Sequence, residues 1–132
     1  MKLNLQKLVH LHGYKSGADL QNIYNMCNIG IGPLAPHRVG GKEGTGIKTK
    51  EYFAIGLPYF YAGTELLVPD NYPYVFNVPS TDSPIDIQSV VSFYNGIEKK
   101  DQMVEDMRNF TKQKFSWKVI FENAIKNIYR LK

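Results

Sequence analysis

Apolar residues along the 132-residue chain fall into short continuous runs, separated by stretches in which they recur every three or four positions. Continuous runs are typical of buried strands, and the recurring positions are typical of amphipathic helices. Leu20, Ile23, Tyr24 and Cys27, for example, follow the i, i+3, i+4, i+7 spacing of one helix face. The pattern predicts strands at 8–11, 29–34, 58–62 and 74–78, and helices at 18–26, 47–55, from 83 onward, 99–114 and 117–131. Phe115 and Trp117 are expected to pack the last helix into the core.

The alternation of strands and helices predicts the fold class. Strands separated by helices pair in parallel through crossover connections, so we expect one α/β domain over residues 1–132. Ligands of such sheets bind beyond the carboxyl ends of the strands. The loop that follows Leu34 leaves from one of those ends and carries Glu43. This edge of the sheet is therefore the expected ligand site.

A glycine-rich turn with two glutamates, Glu43 and Glu51, opens the helix at 47–55. Backbone N–H groups at a helix N-terminus lack intrahelical partners and attract phosphate. Gly44 and Gly46 would be costly in a helix start chosen for stability alone, which favours close approach of another group. The turn indicates a diphosphate cradle flanked by carboxylates, as a nucleotide-sugar requires. Helix capping with a surface acid stays open as the alternative.

Other phosphate and metal motifs do not fit. Gly41 and Gly46 have the spacing of a Walker A loop, but Ile47 stands where its lysine belongs, and no G-x-G-x-x-G is complete. His10 and His12 would point the same way from a strand, yet no third ligand is near, so we expect no metal. The pair His37-Arg38 is either an exposed loop or a cationic contact to phosphate or an acceptor.

The charge pattern and the cysteine content indicate which classes of partner and which compartment to expect. The net charge is +4, and the basic residues of the last third alternate with acids and apolar residues, which is typical of solvated helix faces rather than a nucleic-acid surface. Peripheral attraction to an anionic membrane surface stays open. A single cysteine, Cys27, excludes an intramolecular disulfide. Its neighbours suggest a helix end against the core, which favours the reducing cytoplasm. No apolar run approaches the ~20 residues of a membrane span, and the N-terminus lacks the features of a signal peptide.

Several motifs occur in a fixed order along the chain. They are the loop His12-Gly13-Tyr14, the E-x7-E pair Glu43 and Glu51, the following Gly56-Leu57-Pro58, and Phe115-Ser116-Trp117 before the last helix. In this order they resemble the nucleotide-sugar-binding, C-terminal domain of GT-B glycosyltransferases, close to the retaining family-four group. The resemblance covers nearly the whole chain and implies a Rossmann-like, three-layer parallel sheet with flanking helices.

The resemblance also assigns roles to residues. It implies that Glu51 binds the donor ribose and that Glu43, the expected catalytic residue, stabilises positive charge at the anomeric carbon. The amides of Gly44, Thr45, Gly46 and Ile47 would hold the diphosphate as leaving group. His12, Gly13 and Tyr14 would border the base. Such enzymes use the nucleotide-diphosphate sugar as substrate and usually need no metal or other cofactor.

The chain departs from the family in extent. By this resemblance we expect the chain to lack the first β-α-β unit and the N-terminal domain that contacts the acceptor in a GT-B enzyme. We therefore expect the donor-binding portion of a retaining glycosyltransferase of cell-surface polysaccharide biosynthesis, placed in the cytoplasm or at the inner face of the membrane, and inactive in isolation. The alternatives are a non-catalytic nucleotide-sugar-binding module and an α/β interaction domain.

Overall fold

A computed structural model describes residues 5–41, 43–44 and 46–130, with only the backbone of Glu43. The helices and strands follow one another in chain order. They are α1 (Gly17–Asn25), β1 (Gly30–Ile31), a 3-10 turn (Pro36–Val39), β2 (Glu43–Gly44), α2 (Ile47–Ile55), β3 (Tyr59–Ala62), β4 (Thr64–Glu65), β5 (Val75–Val78), α3 (Ile87–Asn95), α4 (Lys100–Lys114) and α5 (Trp117–Arg130).

The strands form a small parallel sheet in the order β1-β3-β5. Gly30 lies opposite Tyr59, and Tyr59 lies opposite Val75, so β3 is the central strand. A second parallel ladder joins β2 to β4, with Glu43 opposite Thr64. The predicted α/β fold with a parallel sheet is confirmed.

Strand β3 lies between two apolar clusters, because all four of its residues are buried and their side chains alternate between the faces of the sheet. Tyr59 and Tyr61 belong to the larger cluster, which includes residues of α2 and α4. Phe60 and Ala62 belong to the smaller cluster, to which α3 contributes Val90. The sheet is therefore covered by helices on both faces.

Glycines set the limits of α2, whose predicted bounds of 47–55 are confirmed. Gly46 precedes its first residue, and Gly56 ends it in the left-handed region at φ +78°. A Cβ added to Gly56 would lie 2.7 Å from Cγ1 and 2.8 Å from Cα of Val104, so this glycine also permits the close contact of α2 with α4.

Helix α3 begins later than predicted. The Asp86 side chain accepts hydrogen bonds from the backbone amides of Gln88 and Ser89, which makes Asp86 the N-cap and Ile87 the first helical residue. The expected start at Ser83-Pro84 is wrong because the stronger cap lies three residues further on.

Three other sequence predictions are wrong. Residues 8–11 form no strand, and Leu8 and Leu11 are 78% and 93% exposed, since this segment pairs with no strand edge. Trp117, expected in the core, is 73% exposed, whereas Phe115 does pack against the larger cluster. Cys27, expected against the core, is exposed. No helix in the described part of the chain is long and apolar enough to cross a bilayer.

Candidate ligand-binding cleft

A cavity of about 470 Å³ lies at the carboxyl ends of β1 and β3. The segment that follows β1 supplies one wall through Pro33 and Leu34, and the end of β3 supplies another through Tyr61 and Ala62. This is the edge at which parallel sheets bind ligands. We refer to this cavity as the cleft.

The N-terminal end of α2 opens on the cleft, because Gly44 and Gly46 both line it. Gly46 is the N-cap of α2. Because glycine has no side chain, it makes no side-chain hydrogen bond to the first amides of the helix. A Cβ added at Gly44 would meet no heavy atom within 4 Å. Among the described residues, the space on the Cβ side of Gly44 is therefore open.

Glu65 lines the cleft beside the start of α2 and was not anticipated from the sequence. Its side chain is 6% exposed, and its Oε2 accepts a hydrogen bond of 3.0 Å from the Thr49 hydroxyl. The same hydroxyl lies 2.8 Å from the Gly46 carbonyl oxygen, so its single hydrogen is shared between these two acceptors. Thr49 is the third residue of α2, so the hydroxyl ties β4 to the first turn of the helix.

Burial raises the pKa of the Glu65 carboxyl above its ordinary value of 4.5. The Thr49 hydrogen bond, the Lys50 charge and the Gly46 backbone lower it in part. The carboxyl thus provides hydrogen-bonding oxygens in a wall where a second negative charge would be unfavourable. The Glu65 carboxyl, held at the start of α2, can accept hydrogen bonds from hydroxyl groups, and an anion at the same helix end would lie next to it.

Glu51 lines a different, smaller cavity of about 190 Å³ between α1 and α2. There its Oε2 accepts a hydrogen bond of 3.1 Å from the Tyr24 hydroxyl. Burial, the hydrogen bond to Glu51 and the charge of Glu51 raise the pKa of Tyr24 to about 12. Gly17 and Gln21 of α1 line the same cavity. No described residue lines both this cavity and the cleft, so Glu51 and the glycines of the turn lie at separate openings.

The remaining predicted site residues lie as follows. The backbone of Glu43 pairs in β2, and its side chain, like all of Thr45, lies outside the described residues. Ile47 is 77% exposed at the first position of α2. His12, Gly13 and Tyr14 lie in an exposed segment outside the helices and strands and do not belong to the residues that line the cleft.

The His37-Arg38 pair binds within the chain. His37 Nδ1 lies 3.0 Å from Ser80 Oγ, and His37 Nε2 lies 3.0 Å from Asp82 Oδ1. Arg38 Nε donates to the same Asp82 oxygen at 2.6 Å. These hydrogen bonds lower the pKa of Asp82, and the one from His37 has the larger effect. Both side chains thus hold the 3-10 turn to the loop after β5.

Metal ligands do not cluster: the described residues contain no group of three or more His, Cys, Asp or Glu side chains that could hold an ion.

The comparisons with known proteins do not assign the chain to a family. No protein-family model matches the chain, and no curated protein or solved structure matches it either.

Proposed function

We propose that the chain is the donor-binding portion of a retaining GT-B glycosyltransferase, with a Rossmann-like sheet, and that it binds a nucleotide-diphosphate sugar across the cleft. One observation carries the proposal. The glycine-lined N-terminus of α2 opens on a cavity at the carboxyl ends of two parallel strands, and the Glu65 carboxyl, hydrogen-bonded to Thr49, lines the same cavity. This combination provides an anion site beside a polyol site.

The diphosphate would lie against the amides at the start of α2, from Gly44 to Ile47. Glu51 is the fifth residue of that helix, about 6 Å further along its axis at ~1.5 Å per residue. A ribose joined to the diphosphate spans this distance and would enter the cavity beside Tyr24 and Glu51. The transferred sugar would then occupy the cleft, where Glu43 would stabilise the charge that develops at the anomeric carbon.

A non-catalytic nucleotide-sugar-binding module is the second candidate, and a charge observation favours it. None of the described residues that line the cleft is basic, and Arg38 is engaged with Asp82. Among the described residues that line the cleft, a departing diphosphate would therefore find backbone amides and no cationic side chain. Release of nucleoside diphosphate from the donor by the purified chain would favour the enzyme over the module.

Isothermal titration calorimetry with UDP-, GDP- and ADP-sugars tests the binding site. We expect saturable binding of one of these donors and a loss of roughly tenfold in affinity for Glu51→Ala, the value of one charge-assisted hydrogen bond. Glu98→Ala is the matched control, because it removes an exposed acid outside both cavities. Equal affinities of the Glu51→Ala and Glu98→Ala chains would remove Glu51 from the site.

A further inference from the structure

Helix α5 carries an apolar stripe that no other described segment of the chain covers. Every residue from Ile120 to Arg130 is exposed, although the helix contacts α4 near its start. Trp117, Phe121 and Ile128 are 73%, 60% and 60% exposed. At 3.6 residues per turn these side chains, with Ile120 and Ile125, fall in an arc of about 140° around the helix.

The stripe is aromatic at one end. The rings of Trp117 and Phe121 lie 5.8 Å apart, one helical turn from each other, and Tyr129 adds a third exposed ring near the other end of α5. Aromatic side chains of this kind favour the boundary between water and hydrocarbon, where the ring is buried and its polar edge stays hydrated.

The charge of the same region is strongly basic. Lys112, Lys114, Lys118, Lys126 and Arg130 lie between positions 111 and 130, where Glu122 is the single acid. Lys126 and Arg130 project opposite the centre of the apolar stripe, and Lys118 lies at its edge. An apolar arc with a basic opposite face distinguishes helices that lie in the surface of an anionic bilayer.

We infer that α5 is a membrane-surface helix that binds anionic lipid, with its Trp117–Ile128 stripe inserted at the headgroup boundary and its lysines facing the headgroups. This surface is independent of the cleft and of the proposed donor site. It would place the chain at a lipid surface whether or not the cleft binds a nucleotide-sugar. A protein partner or a second copy would cover the apolar stripe equally well, but neither requires the excess of basic residues around it.

Trp117 is the single tryptophan of the chain and reports on α5 directly. The full chain is mixed with vesicles of phosphatidylcholine alone or with phosphatidylglycerol added. With anionic vesicles we expect a blue shift of the tryptophan emission and co-sedimentation, with affinity at least about tenfold above that for zwitterionic vesicles and reduced by salt. Unchanged emission and no co-sedimentation, or equal binding to both vesicles, would overturn the inference.

Two variants separate the apolar and the charged contributions. Phe121→Asp with Ile125→Asp should abolish vesicle binding, and because both side chains are exposed the chain should keep its circular dichroism spectrum. Lys118→Glu with Lys126→Glu should lower affinity for anionic vesicles by roughly tenfold or more. Lys7→Glu with Lys99→Glu makes the same change in net charge away from α5 and is the matched control. An equal loss in the control would assign the binding to net charge alone and contradict the inference.

Self-association is the remaining outcome. If the emission is already blue-shifted without lipid and gel filtration gives a dimer that the Phe121→Asp and Ile125→Asp changes dissociate, the stripe is a contact between copies and the lipid assignment is wrong.

Discussion

Replacing Gly56 by alanine should destabilise the chain more than the same change at Gly13, Gly17 or Gly40, which share its backbone conformation. A residue with a Cβ loses about 1–2 kcal/mol in the left-handed region, where Gly56 lies at φ +78°. The added methyl would also lie 2.8 Å from the Val104 Cα, a backbone atom that cannot rotate away. Helices α2 and α4 would have to separate, at a further cost of about 1–3 kcal/mol.

Gly40 separates the two contributions. It has φ +70°, but an alanine Cβ there would meet no heavy atom within 4 Å. Urea unfolding followed by circular dichroism should therefore give a loss of about 1–2 kcal/mol for Gly40→Ala and about 2–5 kcal/mol for Gly56→Ala. Equal losses in the two variants would refute the close packing of α2 on α4 at this point.

Three further changes test the core and the Thr49–Glu65 contact by urea unfolding. Thr49→Val should cost about 1–3 kcal/mol, because the buried Glu65 loses its donor, and Thr49→Ser should recover most of it; equal losses in both variants would contradict this. Phe53→Ala should cost about 3–5 kcal/mol, since its ring is fully buried, and a loss below about 1 kcal/mol would contradict the packing. Glu65 has a raised folded-state pKa, so its contribution to stability is fully present below the unfolded value of 4.5 and is lost as pH rises through the folded value. The stability of Glu65→Gln relative to the unsubstituted chain should accordingly increase as pH rises above 4.5, and a constant difference would contradict the raised pKa.

Local signals in the sequence were sufficient to predict the ends of α2 and the burial of β3. Gly46 and Gly56 mark the two ends of α2, and the continuous apolar run at 58–62 predicts a strand buried on both faces. The run at 8–11 has the same local character but no strand beside it, and apolar content alone does not supply the partner that a strand needs. A strand at 8–11 would need a neighbouring strand from a distant part of the chain, and the local pattern does not show whether one is present.

The sequence predicted where in the fold the candidate site lies, but it did not predict all of the residues that line it. The rule that ligands bind at the carboxyl ends of parallel strands predicted the edge at which the cleft lies. Glu65 was missed because Gly63-Thr64-Glu65 looks like a turn, whereas Thr64–Glu65 pairs as β4 with the glycine-rich segment. An acid directly after a buried strand was the available signal. Its burial follows from a pairing of residues about 20 positions apart, which only the folded chain shows.

The most direct test of the nucleotide-sugar site uses a chain labelled with ¹⁵N-glycine. Gly44 and Gly46 line the cleft, and Gly96 lies at the end of α3, beside a different cavity. Titration with UDP- and GDP-hexoses should shift the amide resonances of Gly44 and Gly46 in a saturable manner and leave that of Gly96 unchanged. Saturable binding that leaves Gly44 and Gly46 unshifted, or no shift of any glycine at millimolar donor, would contradict the proposed site.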